Sequence, residues 1–214
     1  MKIVACVPIK LNNERCPGKN TRPLGDKPLI GHVLETLDSV KELDEVYVFC
    51  SDDEIQKYLT GRAVHLKRPA YLDEPTSNFT QIFREFMNRV DADIYLYAHA
   101  TAPFITKETM EECIEKVKSG EYDSAFTAVV IQDFLWQDGK PMNFDARNLP
   151  RSQDLKKIYR ETSGVYAFTK EVFEKIGRRV GEKPYIKEVS QREAVDINTE
   201  SDFEFAQMMI ELGR

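Results

Sequence analysis

The sequence has few cysteines and histidines, and their spacing matches no common metal or disulfide motif. Among 214 residues there are four Cys and three His, and no Cys-x-x-Cys pair occurs. The histidines His32, His65 and His99 lie far apart in the chain. We therefore expect neither a disulfide framework nor a Cys/His metal site.

Long apolar runs are absent as well. No segment approaches the roughly 20 apolar residues that a membrane-spanning helix needs. The apolar run near the N-terminus is shorter than the apolar core of a signal peptide. We therefore expect a cytoplasmic protein without a membrane partner.

Basic residues are a minority. The 30 Lys and Arg residues are outnumbered by 36 Asp and Glu residues, which gives a formal net charge of -6. Affinity for a nucleic-acid backbone comes from clustered Lys and Arg, so we expect no nucleic-acid partner. A single nucleotide remains a possible ligand, because one local basic cluster is enough to bind it.

The length of the chain and its pattern of apolar residues suit one α/β domain. A chain of 214 residues can bury a sizeable core, and two full domains would be tight. Apolar runs typical of buried strands alternate with segments of helical period along most of the chain. We predict one domain over residues 1–214, built on a mostly parallel sheet.

Several helix starts carry capping residues. Asn78 and Gln81 match a capping box, Thr106 precedes another helix, and Thr199 with Asp202 opens the last one. The stripe of Phe and Met residues that follows Asn78 has helical spacing, which is typical of core packing.

A basic loop follows the first predicted strand. Ile3–Val7 is an apolar run, and we expect Pro8 to end its pairing. Pro17-Gly18 then forms a turn directly before Lys19. Anionic ligands of open α/β sheets bind where strands end, so the loop predicts an anion site. An ordinary solvated loop is the alternative, and neither Gly-x-x-x-x-Gly-Lys-Ser/Thr nor Gly-x-Gly-x-x-Gly occurs.

The loop resembles the N-terminal signature of the acylneuraminate (CMP-sugar acid) cytidylyltransferases. Residues 8–20 read PIKLNNERCPGKN, against approximately Pro-Ala-Arg-x-x-Ser-Lys-x-x-Pro-x-Lys-Asn in that family. The final Pro-Gly-Lys-Asn carries most of the resemblance. Lys10 stands where the family has Arg, and Asn13-Glu14 replaces Ser-Lys, so one cation of the signature is missing unless Arg15 supplies it.

Further segments resemble the same family in the same order. Ser51-Asp52 is similar to its Ser-Thr-Asp, although both residues could serve only as a turn and helix cap. Residues 67–70 resemble its Arg-Pro segment, and Pro75 stands where the family has Asp. Residues 99–104 resemble Gln-Pro-Thr-Ser-Pro-Leu, with His99 at the Gln position. Residues 195–203 resemble its Val-Asp-Ile-Asn/Asp segment, and we expect Asp196 to lie at a strand end.

Residues 131–163 interrupt the alternation of strands and helices. This stretch contains Trp136, Gly139, Pro141 and Pro150, has no helical period and is too long for a plain connection. We predict an inserted arm here, with the chain returning to the sheet at Gly164. The resemblance implies that the arm covers the sugar site and forms a homodimer contact. Thr162-Ser163 stands where the family has a single Asn.

The resemblance implies a Rossmann-like three-layer α/β/α nucleotidyltransferase fold and transfer of CMP from CTP to the anomeric hydroxyl of an acidic 2-keto sugar. It implies Mg²⁺ as cofactor, bound by Asp196. The basic residues implied to hold the triphosphate are Lys10, Arg15 and Lys19. Other implied nucleotide contacts are Pro8, Ile9, Asn20, Ser51, Asp52 and Arg68. Implied sugar contacts are His99, Thr101, Arg151, Gln153 and Arg160.

Two alternatives remain open at this stage. One is another sugar nucleotidyltransferase of the same fold that uses a different nucleoside triphosphate. The other is a catalytically silent nucleotide-binding or sugar-binding relative, which the departures at Glu14, Pro75 and Asn198 favour.

Overall fold

A seven-stranded sheet forms the centre of the molecule within residues 1–213, which the computed structural model describes. The strands are β1 (Ile3–Ile9), β2 (Pro23–Leu24), β3 (Lys27–Pro28), β4 (Glu45–Cys50), β5 (Ala63–Lys67), β6 (Ile94–Ala98), β7 (Ser124–Ile131), β8 (Trp136–Gln137), β9 (Lys140–Pro141), β10 (Ile158–Thr169) and β11 (Pro184–Glu188). The α-helices are α1 (Leu29–Ser39), α2 (Phe79–Met87), α3 (Lys107–Lys118), α4 (Lys170–Ile176) and α5 (Glu200–Glu211).

The sheet is mostly parallel. Its strand order is β11-β7-β10-β6-β1-β4-β5, and only β10 runs antiparallel to its neighbours. The carboxyl ends of β1, β4, β5 and β6 therefore meet at one edge of the sheet. The loops that begin at Lys10, Ser51, Arg68 and His99 all leave from this edge, which is where ligands of open α/β sheets bind.

Helices cover both faces of the sheet. Alternate residues of β1 point to opposite faces, so Ala5 packs in a core with α1 and α3, while Cys6 packs in a second core with α2 and α4. In the second core Phe83 is fully buried and its ring lies within 5.9 Å of Phe79, Phe86, Tyr95, Tyr97, Phe168 and Phe173. The predicted three-layer, Rossmann-like α/β/α fold is confirmed.

The predicted helix caps are also confirmed. Asn78 and Gln81 form a capping box at α2, Thr106 accepts a bond from the amide of Thr109 at α3, and Thr199 caps α5. These caps form because each side-chain oxygen satisfies an amide that has no partner in the first helical turn.

A third, smaller core fastens α5 to the basic loop. It contains Leu24 and Leu29 from the segment after the loop, Ile197 from the segment before α5, and Phe203 from α5 itself. Cys16 of the loop is buried in the same cluster. The burial of these apolar groups brings residues 16–24 and 197–206 together although they are far apart in sequence.

Three expectations about boundaries are wrong. Pro8 does not end strand β1. The strand pairs with β6 up to Cys6 and with β4 up to Ile9, so it continues through Pro8. Strand β10 begins at Ile158, so the segment outside the seven-stranded sheet covers residues 132–157 and not the predicted 131–163. Asp196 follows no strand; it lies in an irregular segment between β11 and α5.

The segment between β7 and β10 is an exposed hairpin followed by a turn. Strands β8 and β9 pair across Asp138 and Gly139, whose φ angles of 50° and 74° suit a two-residue hairpin turn. At its base the ring of Phe144 packs edge-on against Phe134 and Trp136.

The register of β10 against β7 shifts between Glu161 and Tyr166. The shift falls at Thr162-Ser163, where the family pattern has one residue fewer, and an irregularity of this kind is how a strand takes up an extra residue. Along residues 1–213, none of the helices combines the length and apolar character needed to cross a membrane.

Candidate active site

The basic loop is held in a fixed shape by Asn20. Its side chain is 4% exposed, and its Nδ2 donates to the carbonyl of Lys10 (2.9 Å) and to Oδ1 of Asn13 (3.3 Å). Gly18 has a φ of 63°, which supports the turn that the sequence predicts at Pro17-Gly18. The loop therefore presents its cations from a defined backbone.

Two of the loop cations contact the segment before α5. Lys19 is 7% exposed and its Nζ donates to the carbonyl of Ile197. Arg15 Nη2 donates to Oδ1 of Asn198 (2.9 Å), and Asn198 Nδ2 donates to Oδ2 of Asp196 (2.7 Å). The structure thus brings the predicted triphosphate loop and the predicted metal residue to one place.

Burial lowers the pKa of the Lys19 ammonium below its ordinary value, and the nearby Asp196 carboxylate partly opposes this shift. A cation in this position has lost much of its hydration. It is therefore available to pair with an incoming anion, because interactions between charges strengthen as water is excluded.

Two cavities adjoin at Lys10. The first has a volume of about 220 Å³ and is lined by Lys10, Asn13, Glu14, Arg15, Cys16, Lys19 and Asn198. The second has a volume of about 240 Å³ and is lined by Pro8, Ile9, Lys10, Arg68, Leu72, Asp73, Glu74, Pro75, Ser77, Ile82 and Tyr97. One is rich in cations and the other has an apolar wall, so together they match a phosphate chain and a ring system.

Asp73, which the sequence did not single out, connects three predicted site residues. Its carboxylate accepts hydrogen bonds from Arg68 Nη2 and Ser51 Oγ, and its carbonyl accepts one from Lys10 Nζ (3.3 Å). The available signal was that a strand-end arginine needs an acid partner, and Asp73 is the first acid after Arg68 in the chain. Asp52 instead caps the following turn through the amide of Glu54 (2.9 Å).

His99 lies at the end of β6 with one ring nitrogen shielded from solvent. Within residues 1–213 its Nε2 has no hydrogen-bond partner. Burial above all, with the nearby Arg179 cation, lowers the pKa of His99 to about 4, and the Asp196 and Glu161 carboxylates partly oppose this shift. The imidazole is therefore neutral near pH 7 and can accept or donate a hydrogen bond. The backbone carbonyl of nearby Thr101 accepts a hydrogen bond from the backbone amide of Ile197 (2.9 Å).

A second group that the sequence did not predict lies beside His99. Arg179 stacks over the ring of Tyr166 at 3.8 Å from its centre and pairs with Oε1 of Glu161 (2.9 Å). Tyr166 donates its hydroxyl to the same oxygen (2.5 Å). These residues come from β10 and the segment after α4, and no spacing in the sequence connects them.

The predicted sugar contacts of the arm lie at the surface. Arg151 is exposed and pairs with Asp154 (2.8 Å), Gln153 is exposed, and Arg160 is an exposed residue of β10. In the described part of the chain none of the three forms a hydrogen bond with a residue of the two cavities. Their roles stay predictions.

The carboxylate of Asp196 has the chemistry to bind a Mg²⁺ ion. Its Oδ1 is shielded and has no hydrogen-bond partner among the described residues, whereas Oδ2 is occupied by Asn198. A carboxylate oxygen of this kind suits a hard cation. No group of three or more His, Cys, Asp or Glu residues suited to a metal occurs in residues 1–213.

A family model described as Cytidylyltransferase matches residues 4–213, which is nearly the whole chain. The chain belongs to the cytidylyltransferase family. It is 27% identical to the N-acylneuraminate cytidylyltransferase of Oncorhynchus mykiss, over 97% of the chain and 50% of that protein. It is 30% identical to the 3-deoxy-manno-octulosonate cytidylyltransferase of Thermodesulfovibrio yellowstonii, over 59% of the chain and 51% of that protein. The chain spans about half the length of these curated relatives.

A solved structure supports the fold assignment. CMP:2-keto-3-deoxy-manno-octonic acid synthetase, determined in complex with CTP, superposes on the chain with a TM-score of 0.75. The two chains are 20% identical and each is covered completely. At this identity the likeness shows the shared fold.

Proposed function

We propose that the protein transfers CMP from CTP to the anomeric hydroxyl of an acidic 2-keto sugar and releases pyrophosphate. The observation that carries the proposal is the hydrogen-bonded junction of Lys19 with Ile197 and of Arg15 with Asn198 and Asp196. It joins a cationic loop to a free carboxylate oxygen beside a cavity. Family membership and the names of the relatives point to the same chemistry.

In this proposal the chain acts by positioning and by neutralising charge, which is what phosphoryl-type transfer requires. Lys10, Arg15 and Lys19 bind the triphosphate and stabilise the pyrophosphate that leaves. Arg68 and the strand end at Pro8 and Ile9 hold the base and ribose in the second cavity. The sugar hydroxyl attacks the α-phosphorus as the bond to pyrophosphate breaks.

The proposed cofactor is Mg²⁺, held by Asp196 together with phosphate oxygens. When bound, it would supply Lewis-acid stabilisation of the charge that develops on the α-phosphate. Asn198 fixes the orientation of the Asp196 carboxylate through its 2.7 Å bond to Oδ2 and leaves Oδ1 for the ion.

We further propose that His99, Thr101, Arg151, Gln153 and Arg160 contribute to the acceptor site. Support comes from the neutral imidazole of His99 next to the junction, whose Nε2 has no hydrogen-bond partner among residues 1–213. A guanidinium group can donate two parallel hydrogen bonds to the carboxylate of an acidic sugar. The arm over residues 132–157 would bring Arg151 and Gln153 to this site.

The arm is also the proposed homodimer contact of a single-domain protein. Trp136, Met142 and Leu149 on the arm are 58%, 56% and 65% exposed, which leaves apolar surface for a second copy to cover. The proposal assigns the reaction to the cytoplasm, and the four free thiols suit that reducing compartment. Light scattering of the purified protein, with Trp136→Ser as the comparison, tests the dimer.

The function is tested by measuring pyrophosphate release with CTP, Mg²⁺ and a panel of 2-keto sugar acids. We expect turnover with CTP and none with purine nucleotides. Lys19→Met should abolish it, because the buried cation at the junction is lost. Lys41→Met removes an exposed lysine at the opposite edge of the sheet and should have no effect.

Two outcomes would replace the proposal by the alternatives. Preference for another nucleoside triphosphate would indicate a different sugar nucleotidyltransferase. Binding of CTP with Mg²⁺ but no pyrophosphate with any acceptor would indicate a silent relative.

A further inference from the structure

Arg68 is a buried cation at the carboxyl end of β5. It is 3% exposed, its backbone amide donates to the carbonyl of Cys50 (2.8 Å), and its guanidinium lies 6.0 Å from the centre of the Phe49 ring. A charge in such surroundings is unfavourable unless a partner compensates it. Its partner therefore decides both whether it can stay there and how it is oriented.

That partner is Asp73, and both of its carboxylate oxygens are engaged. One accepts from Arg68 Nη2 and the other from Ser51 Oγ, while the Asp73 carbonyl accepts from Lys10 Nζ at 3.3 Å. The loops after β1 and β4 thus meet the loop after β5 at this one residue. Because the carboxylate is held at both ends, it cannot rotate away from the guanidinium without breaking a second bond.

Asp73 engages one nitrogen of the guanidinium, Nη2, and leaves other N–H donors of the group without a protein acceptor in the described residues. Arg68 Nε is shielded from solvent, and within residues 1–213 it has no acceptor. Buried donors without a partner are rare in folded proteins. Arg68 lines the 240 Å³ cavity together with Pro8, Lys10 and Tyr97, so a ligand in that cavity can accept from guanidinium N–H groups that Asp73 does not occupy.

We propose that Asp73 is a positioning residue that makes this cavity select cytosine over uracil. The inference rests on the proposed function, and deepens it by naming what sets base specificity. By holding Nη2, Asp73 fixes the plane of the Arg68 guanidinium and so sets the direction of the N–H donors that it presents to the cavity. Cytosine carries two adjacent acceptors, N3 and O2, whereas uracil carries an N–H donor at N3. A guanidinium has only donors, so it matches the cytosine edge and opposes the uracil edge.

The test measures equilibrium dissociation constants for CTP and for UTP by titration calorimetry. We expect the wild-type protein to bind CTP at least tenfold more tightly than UTP. In Asp73→Asn this ratio should fall at least fivefold, mainly through weaker CTP binding. The amide can still bond to both Arg68 and Ser51, so the variant removes the charge that orients the guanidinium while keeping the local shape.

Two companion variants separate positioning from a purely structural role. Asp73→Glu keeps the buried charge pair, so it should fold even if Asp73→Asn does not, yet it displaces the guanidinium and should lower the ratio as well. Asp53→Asn removes an exposed acid paired with Lys67 (2.6 Å) on the same side of the sheet and should leave the ratio unchanged. Circular dichroism reports folding of each variant.

A wild-type ratio in folded Asp73→Asn or Asp73→Glu would overturn the inference, and so would equal weakening of CTP and UTP. These results are distinct from failure of the proposed function, because binding is measured without turnover. If the wild-type protein binds CTP selectively but releases no pyrophosphate, the proposed function fails and the role of Asp73 stands. If the wild-type protein turns over normally but the Asp73 variants keep its ratio of CTP to UTP affinity, only the role of Asp73 is rejected.

Discussion

Replacing Asp196 by Asn removes one negative charge from the candidate site. The two side chains have nearly the same shape, and the Asn oxygen can still accept the 2.7 Å bond that Asn198 donates. The variant loses the negative charge of the carboxylate, whose Oδ1 has no hydrogen-bond partner in the part of the chain that the structure describes, and with it a favourable Coulomb interaction with buried Lys19. It therefore tests the proposed metal residue with little change in packing.

The effect on catalysis should be far larger than the effect on stability. Charge stabilisation by a metal ion in such reactions is worth several kcal/mol, and a loss of about 4 kcal/mol corresponds to a rate loss of about 10³-fold. The folded variant keeps the hydrogen bond from Asn198 and loses the attraction between the Asp196 carboxylate and the Lys19 ammonium. We expect a cost of about 1 kcal/mol, or a fall in melting temperature of roughly 3 °C for a chain of this size.

The assay is pyrophosphate release at saturating CTP across a series of Mg²⁺ concentrations, with melting followed by circular dichroism. Asp91→Asn is the control, because Asp91 is an exposed acid paired with Lys170 (2.7 Å) away from the cavities. It should be as active as the wild type. A folded Asp196→Asn protein with turnover within threefold of wild type would refute the reasoning about the junction.

Three further predictions concern stability. His99 has a pKa of about 4 when folded, below its ordinary value near 6.5, so the unfolded chain binds a proton first and acid destabilises the fold. Urea titrations at pH 7 and pH 5 should therefore show wild type losing about 2 kcal/mol more than His99→Gln; equal losses would contradict this. Gly164→Ala should cost about 1–3 kcal/mol by urea unfolding, because the new Cβ would lie 2.7 Å from Thr127 Oγ1. Phe83→Ala should cost about 3–5 kcal/mol, since Phe83 is the fully buried centre of the aromatic core; a change below 1 kcal/mol would mean that the core repacks.

Local patterns predicted the elements well. The apolar run Ile3–Val7, the capping residues Asn78 and Thr199, and the Phe stripe of α2 each appear in the structure as the sequence indicates. These features depend on neighbours within one or two turns of chain, and a sequence records such neighbours directly. The basic loop was recognisable for the same reason, because its turn and its cations are consecutive.

The contacts within the candidate site were much less predictable. Nothing in the spacing of Asp73 connects it to Ser51, and nothing connects Arg179 to Tyr166, because these pairs meet only after the sheet has formed. Asp196 was expected at a strand end but lies in an irregular segment, which the docking of Ile197 into the third core holds in place.

The sequence by itself determined the strand and helix alternation, the basic loop at the first strand end and the family to which the chain belongs, since all three are written in consecutive residues. The tertiary structure decided which side chains meet at that edge. Lys19 reaches Ile197 across 178 positions of sequence, and Ser51 donates to Asp73 from a different loop. Such pairings follow from burying apolar surface between distant segments, a property of the whole chain that no local pattern contains.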